Sequence, residues 1–151
     1  MGWITPNRPR MISVQAIGCA PIVKAFLEGK ERADEWEGAS TIAAGLRVPH
    51  TLADFLILRT LRESGGYAVG VDDDEIRESV KEMARREGIF PCPEGAATFA
   101  GIKKLKDQGL VDRDEKIVLF NTGSGLKYSE LFRLDLPILN PEEEIDFDGL
   151  S

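Results

Sequence analysis

Three short apolar runs constrain what this chain can fold into. They are Met11-Ile-Ser-Val-Gln-Ala16, Tyr67-Ala-Val-Gly-Val71 and Lys116-Ile-Val-Leu-Phe120. Each reads as a strand buried on both faces, and each is followed by a turn or cap signal. After the first two the periodicity changes to that of a helix. Parallel neighbours need a covering crossover, so strands alternating with helices predict an α/β fold built on a parallel sheet. The expected architecture is three-layered, with helices on both faces of the sheet.

The helical segments carry their own start and stop signals. Asp72 and Glu75 have the spacing of a capping box. Beyond them Ile76, Val80, Met83 and Ala84 repeat on one face, while Arg77, Glu78, Lys81, Glu82 and Arg85 face water. Gly88 is a natural stop. Pro93 and Glu94 open a further helix that ends just before Gly109. The stretch from Leu52 to Leu61 is apolar nearly all round, as expected of a helix sandwiched between layers, and another helix runs from about Pro21 to Leu27. Residues 29–49 read as a long loop with a turn of helix around Arg32 to Trp36. Pro137 and Pro141 argue against a long regular element after Lys127, where Leu131, Phe132, Leu134, Leu136 and Ile138 are expected to rest on something apolar. The division expected is one domain over 1–128 and an irregular acidic tail over 129–151.

Charge and residue usage exclude several classes of function. The net charge is −7, with Asp135, Glu142, Glu143, Glu144, Asp146 and Asp148 crowded near the end. Broad attraction to nucleic acid or to anionic membrane is therefore not expected. Cys19 and Cys92 make no disulfide framework, and His50 has no partners at metal-site spacing. No apolar stretch approaches the ~20 residues that cross a bilayer, and the start lacks a signal-peptide pattern. A reducing, cytoplasmic setting is expected.

Two segments could carry chemistry. Asn121-Thr-Gly-Ser-Gly-Leu-Lys127 directly follows the third run, and ligands in parallel sheets sit at the carboxyl ends of strands. Gly123 and Gly125 let the backbone come close to a flat or anionic group, and Thr122 can aim one hydrogen bond at a heteroatom. A plain Gly-rich turn and a phosphate cradle are the competing readings, the latter weakened because no helix start follows. The second segment, Glu87 to Ala97, puts one carboxylate at a helix end and another, Glu94, at a helix start. The pair could do acid/base work, or Glu94 could simply answer the helix dipole while Glu87 stays in water.

Six blocks together resemble the threonine synthases. They are Ser13–Val23, Thr41–Pro49, Arg62–Gly66, Glu87–Ile89, Pro93–Ala97 and Asn121–Lys127, in family order and covering most of residues 10–128. The wider group is the fold-type II pyridoxal-phosphate enzymes, so the resemblance implies the C-terminal part of the large domain of such an enzyme. It implies that Thr122 meets the pyridine nitrogen of pyridoxal 5'-phosphate, with Gly123 and Gly125 shaping the turn. A neutral hydroxyl leaves that nitrogen largely unprotonated and so tunes the cofactor toward elimination and replacement. Glu87 matches an acidic residue near the cofactor ring in tryptophan synthase β relatives.

The implied reaction turns O-phospho-L-homoserine and water into L-threonine and phosphate. Family members are much longer, however, and carry a cofactor-holding lysine in a Ser-Phe-Lys-Asp-like motif and a separate phosphate-binding loop. Neither motif occurs here, and Lys127 does not match that lysine. The chain alone is therefore expected to be inactive, with no catalytic residue of its own. A cysteate synthase-like β-replacement enzyme and a non-catalytic α/β binding module are the alternatives. A sheet edge left open would favour association between copies, so a homo-oligomer is allowed.

Overall fold

The first two predicted strands form and pair. In the computed structural model, which describes residues 8–132, β1 (Ile12–Ala16) lies parallel to β2 (Tyr67–Val71). The register runs from Ile12 opposite Tyr67 to Ala16 opposite Val71. Gly66 admits no side chain, because a Cβ there would lie 1.8 Å from the Met11 carbonyl oxygen. That close approach feeds β2 into register, with the Tyr67 amide donating to the same carbonyl.

Four helices complete the layers. They are α1 (Pro21–Leu27), α2 (Asp54–Glu63), α3 (Asp73–Glu87) and α4 (Pro93–Asp107). Strand alternation sends side chains to opposite faces. Ala68 meets Ile22, Ala25, Leu58 and Leu61 of α1 and α2. Val14 and Val69 pack on the other face against Leu105 of α4 and Val111, and Val71 packs with Ile76 and Val80 of α3. The sheet is thus covered on both sides, as parallel strands require. Gly101 of α4 has no room for a Cβ, which would sit 2.8 Å from Val14, so the helix lies directly on the strands.

Direction follows from the same contacts. The first turns of α4, at Ala96, Ala97 and Ala100, pack with the strand ends Ala16 and Val71. The last turns, at Leu105, pack near Ile12 and Tyr67, where the strands begin. The start of α4 therefore lies at the carboxyl ends of the strands.

Polar groups fix the joints. The capping box of α3 is complete, with Asp72 accepting from the Glu75 amide and Glu75 accepting from the Asp72 amide, both at 2.8 Å. Gly88 closes that helix in the left-handed conformation. The buried Gln15 side chain leaves β1 and accepts from the amides of Ile22 (2.8 Å) and Val23 (3.0 Å), satisfying two free donors of α1. The buried carboxylate of Asp54 accepts from Ala33 and Phe55. The Ala33 bond, foremost, holds its carboxyl below the ordinary carboxylate range.

Several expectations are corrected. Residues 116–120 form no strand of the sheet, and Val118 and Phe120 are 79% and 71% exposed. The composition is strand-like, but nothing among the described residues pairs with it. Arg32 to Trp36 makes no helical turn; a 3-10 turn forms instead at Ala44–Leu46. The second helix is not apolar on all sides in place, since Leu58 and Leu61 are buried while Leu52, Phe55 and Leu56 face solvent. Gly125–Leu131 is a kinked 3-10 segment rather than irregular chain. Phe132 packs edge-on against Phe90 with ring centroids 5.5 Å apart. Leu134, Leu136, Ile138, Trp3 and the acidic tail lie outside the described residues.

Replacing Gln15 by Leu leaves two amides at the start of α1 without their partner. Each costs about 1–2 kcal/mol, so urea unfolding should show a loss of about 2–4 kcal/mol. Unchanged stability would mean that this joint does not hold α1.

Candidate functional site

The Gly-rich segment lies where the sheet rule places ligand sites. Residues 121–125 are held beside the start of α4 by antiparallel pairing of Ser124 with Pro91. The Cys92 amide donates to the Gly123 carbonyl (3.0 Å), and the Gly125 amide donates to the Phe90 carbonyl (2.9 Å). The two glycines serve this pairing. A Cβ on Gly125 would sit 2.8 Å from the Phe90 ring and from the Pro91 carbonyl oxygen, and one on Gly123 would sit 3.3 Å from the Cys92 sulfur. Their bareness admits the neighbouring strand of chain. Thr122, at the outer edge of the turn, is exposed.

Asn121 packs against the first turn of α4. Its Oδ1 would lie 2.1 Å from a Cβ on Gly95, so a side chain there would push the Asn121 amide aside. Cys92 caps α4, its sulfur accepting from the Gly95 amide at 3.4 Å. The thiol is buried and unpaired in any disulfide.

Glu87 and Glu94 take separate roles. Glu87 is exposed and ends α3 immediately before Gly88. Glu94 reaches from α4 to two distant segments: its Oε1 accepts from the Gly45 amide at 2.7 Å and from the Tyr128 hydroxyl at 2.8 Å. Partial burial works against the Glu94 charge, but the Gly45 amide, its own amide and Tyr128 outweigh that and hold the carboxyl below its ordinary value. The Tyr128 phenol, bonded to this carboxylate and partly desolvated, is pushed up to about 12. Glu94 thus ties the 41–49 loop and Tyr128 to α4. Gly45, Asn121 and Tyr128 are not picked out by sequence reasoning, because each acts through a partner far away along the chain.

Thr122 is the residue here that could meet one edge of the implied cofactor. The hydroxyl of Thr122 is neutral, accessible and mounted on a turn pinned by backbone bonds, which suits a ring nitrogen. Along the chain, Glu87 lies three positions before Phe90 and Thr122 directly precedes Gly123, so the antiparallel pairing puts them toward opposite ends of the junction. Among the described residues no group of three or more His, Cys, Asp or Glu side chains could hold a metal ion, and no helix is long and apolar enough to cross a membrane.

The Glu94 tie has a pH signature. A folded-state carboxyl held below its unfolded value of 4.5 stabilises the fold above that value, and the contribution is lost as pH falls through the folded pKa. Glu94→Gln should therefore flatten the acid limb of a stability–pH profile below about pH 4.5 while lowering stability at pH 7. An acid limb identical to that of the parent would remove Glu94 from this role.

Comparison with known proteins places the chain in a family. Residues 2–123 match the family model described as pyridoxal-phosphate dependent enzyme. The chain is 43% identical over 124 residues to a threonine synthase of Methanocaldococcus jannaschii, covering 82% of this chain and 31% of that protein. A threonine synthase of Mycobacterium bovis is 32% identical over 133 residues, covering 88% and 35%. The chain therefore spans about a third of the length of the curated relatives it matches. Among solved structures, maize serine racemase superposes with a TM-score of 0.59 at 18% identity, covering 81% of this chain and 38% of that one. A threonine deaminase of T.th. gives 0.52 at 16% identity, covering 71% and 40%; at such identities the likeness is one of fold. With a family model spanning most of its length, the chain belongs to the pyridoxal-phosphate dependent enzymes.

Proposed function

We propose that this chain is the portion of a threonine synthase that presents the ring-nitrogen partner of pyridoxal 5'-phosphate. The observation that carries the reading is the exposed Thr122 hydroxyl on a turn locked by the Cys92–Gly123 and Gly125–Phe90 hydrogen bonds. Its setting in a chain 43% identical to a threonine synthase supports the substrate assignment. The whole protein converts O-phospho-L-homoserine and water to L-threonine and phosphate, in the cytoplasm. Pyridoxal phosphate, when bound, supplies the electron sink for deprotonation of the amino-acid substrate. Thr122 offers Oγ1 to the pyridine nitrogen without giving it a full proton, and Gly123 and Gly125 keep that oxygen in place through the turn. Glu87, exposed at the end of α3, would offer its carboxylate toward the same cofactor. The amine that anchors the cofactor comes from sequence this chain does not contain, so the chain by itself forms no threonine.

A fusion tests this. The part of the M. jannaschii threonine synthase that this chain does not match, joined to this chain, should bind pyridoxal phosphate and release phosphate from O-phospho-L-homoserine. Thr122→Val should lower kcat about ten- to a hundredfold, a loss of about 1.4–2.7 kcal/mol in transition-state stabilisation, while Thr122→Ser keeps most of it. Equal turnover by Thr122→Val would take this residue out of the site. Turnover of another substrate with none of O-phospho-L-homoserine would favour a sister β-replacement enzyme.

A further inference from the structure

Thr122 has no fastening of its own. Among the described residues neither its main chain nor its hydroxyl takes part in a hydrogen bond, and the residue is exposed. Where the hydroxyl stands is therefore set by the residues before and after it. Both of them rest on Cys92.

The hold on Gly123 runs through the main chain, the Cys92 amide donating to the Gly123 carbonyl at 3.0 Å. The hold on Asn121 runs through the side chain. The Cys92 thiol donates to Asn121 Oδ1 across 3.8 Å, while the same sulfur accepts from the Gly95 amide at 3.4 Å. A thiol is a weak donor and a weak acceptor, so its bulk and reach count beside these two bonds. The residue is buried, at 3% exposure, and its sulfur leaves little room at Gly123, where a Cβ would stand 3.3 Å away. Asn121 Oδ1 in turn lies over Gly95, whose lack of a side chain admits it. Sulfur, amide oxygen and the bare first turn of α4 interlock on one side of Thr122, and the backbone bond closes the other.

We propose that Cys92 is the positioning residue of the Thr122 hydroxyl, holding Asn121 through its sulfur and Gly123 through its amide. It touches neither cofactor nor substrate. The proposal rests on the reading of Thr122 as the ring-nitrogen partner. A loose turn must lose conformational freedom before its hydroxyl can meet a ring atom, and displacing a positioned group by about 1 Å can lower a rate about a hundredfold.

The two tasks of the sulfur can be separated. Serine is a good N-cap, so Cys92→Ser keeps α4 capped, but its shorter C–O bond and smaller oxygen fall short of Asn121. Asn121→Ala removes the other partner. In this chain, with no cofactor present, the backbone order parameter of Thr122 measured by nitrogen-15 relaxation should fall from about 0.85 to below about 0.6 in both variants, while the values along α4 hold. In the fusion with the unmatched part of the M. jannaschii protein, each variant should lower kcat about three- to tenfold. The two losses should not multiply, and neither should appear in the Thr122→Val background, because a residue that acts through Thr122 then has nothing to act on.

An order parameter at Thr122 that is unmoved in both variants overturns the proposal. So do losses in kcat that recur undiminished in the Thr122→Val background, which mark general loosening of the fold. The functional reading fails in a different way. A fusion whose turnover ignores Thr122→Val overturns the ring-nitrogen role, and the proposal with it, even where Cys92→Ser loosens the turn. A fusion sensitive to Thr122→Val, beside a turn that Cys92→Ser and Asn121→Ala leave rigid, overturns the role of Cys92 alone.

Discussion

The site depends on a pair of backbone hydrogen bonds between sequences some thirty residues apart, Cys92 to Gly123 and Gly125 to Phe90. They convert a Gly-rich turn, which on its own would sample many conformations, into a rigid platform. Side chains are excluded from the closest approaches, since a Cβ at 125 would run into Phe90 and Pro91. The glycines accordingly serve chain-to-chain packing, and beside them Thr122 is left exposed. The same junction fixes the exit of α3 and the start of α4, so the loop that links these helices and the loop that carries the hydroxyl are one object.

Much of the architecture was legible because its determinants are local. The Asp72–Glu75 box, Gly88 as a left-handed stop and Pro93 as a helix start are signals written within one turn of chain, and each appears where the residues predict. Strand β2 coincides with the predicted run, and β1 is shorter by its first residue. Periodicity also served for α3. It misled for α2, because an apolar residue type does not say whether a neighbour exists to cover it: Leu52 is 90% exposed.

The rest was illegible for the same reason in different forms. Lys116 to Phe120 has strand composition, yet strands are made by partners, and pairing is a property of two segments. Glu94 reads from sequence as a helix-dipole residue, and it does sit in the first turn of α4. Its bonds to Gly45 and Tyr128 span sequence distances that no local pattern encodes. Thr122 was singled out by resemblance to a family, and the structure adds that it is exposed, one position before the Gly123–Cys92 hydrogen bond.

The Glu94 carboxylate also has a mechanical meaning. One oxygen grips the backbone of the 41–49 loop and the phenol that follows the Gly-rich turn, so these two surface segments share a single fastening on α4. A shift of the loop that pulls Gly45 away would leave that oxygen to the Tyr128 hydroxyl, a few residues past the glycine step at 123–125. Either segment can thus come loose from α4 while the other stays moored to the same carboxylate.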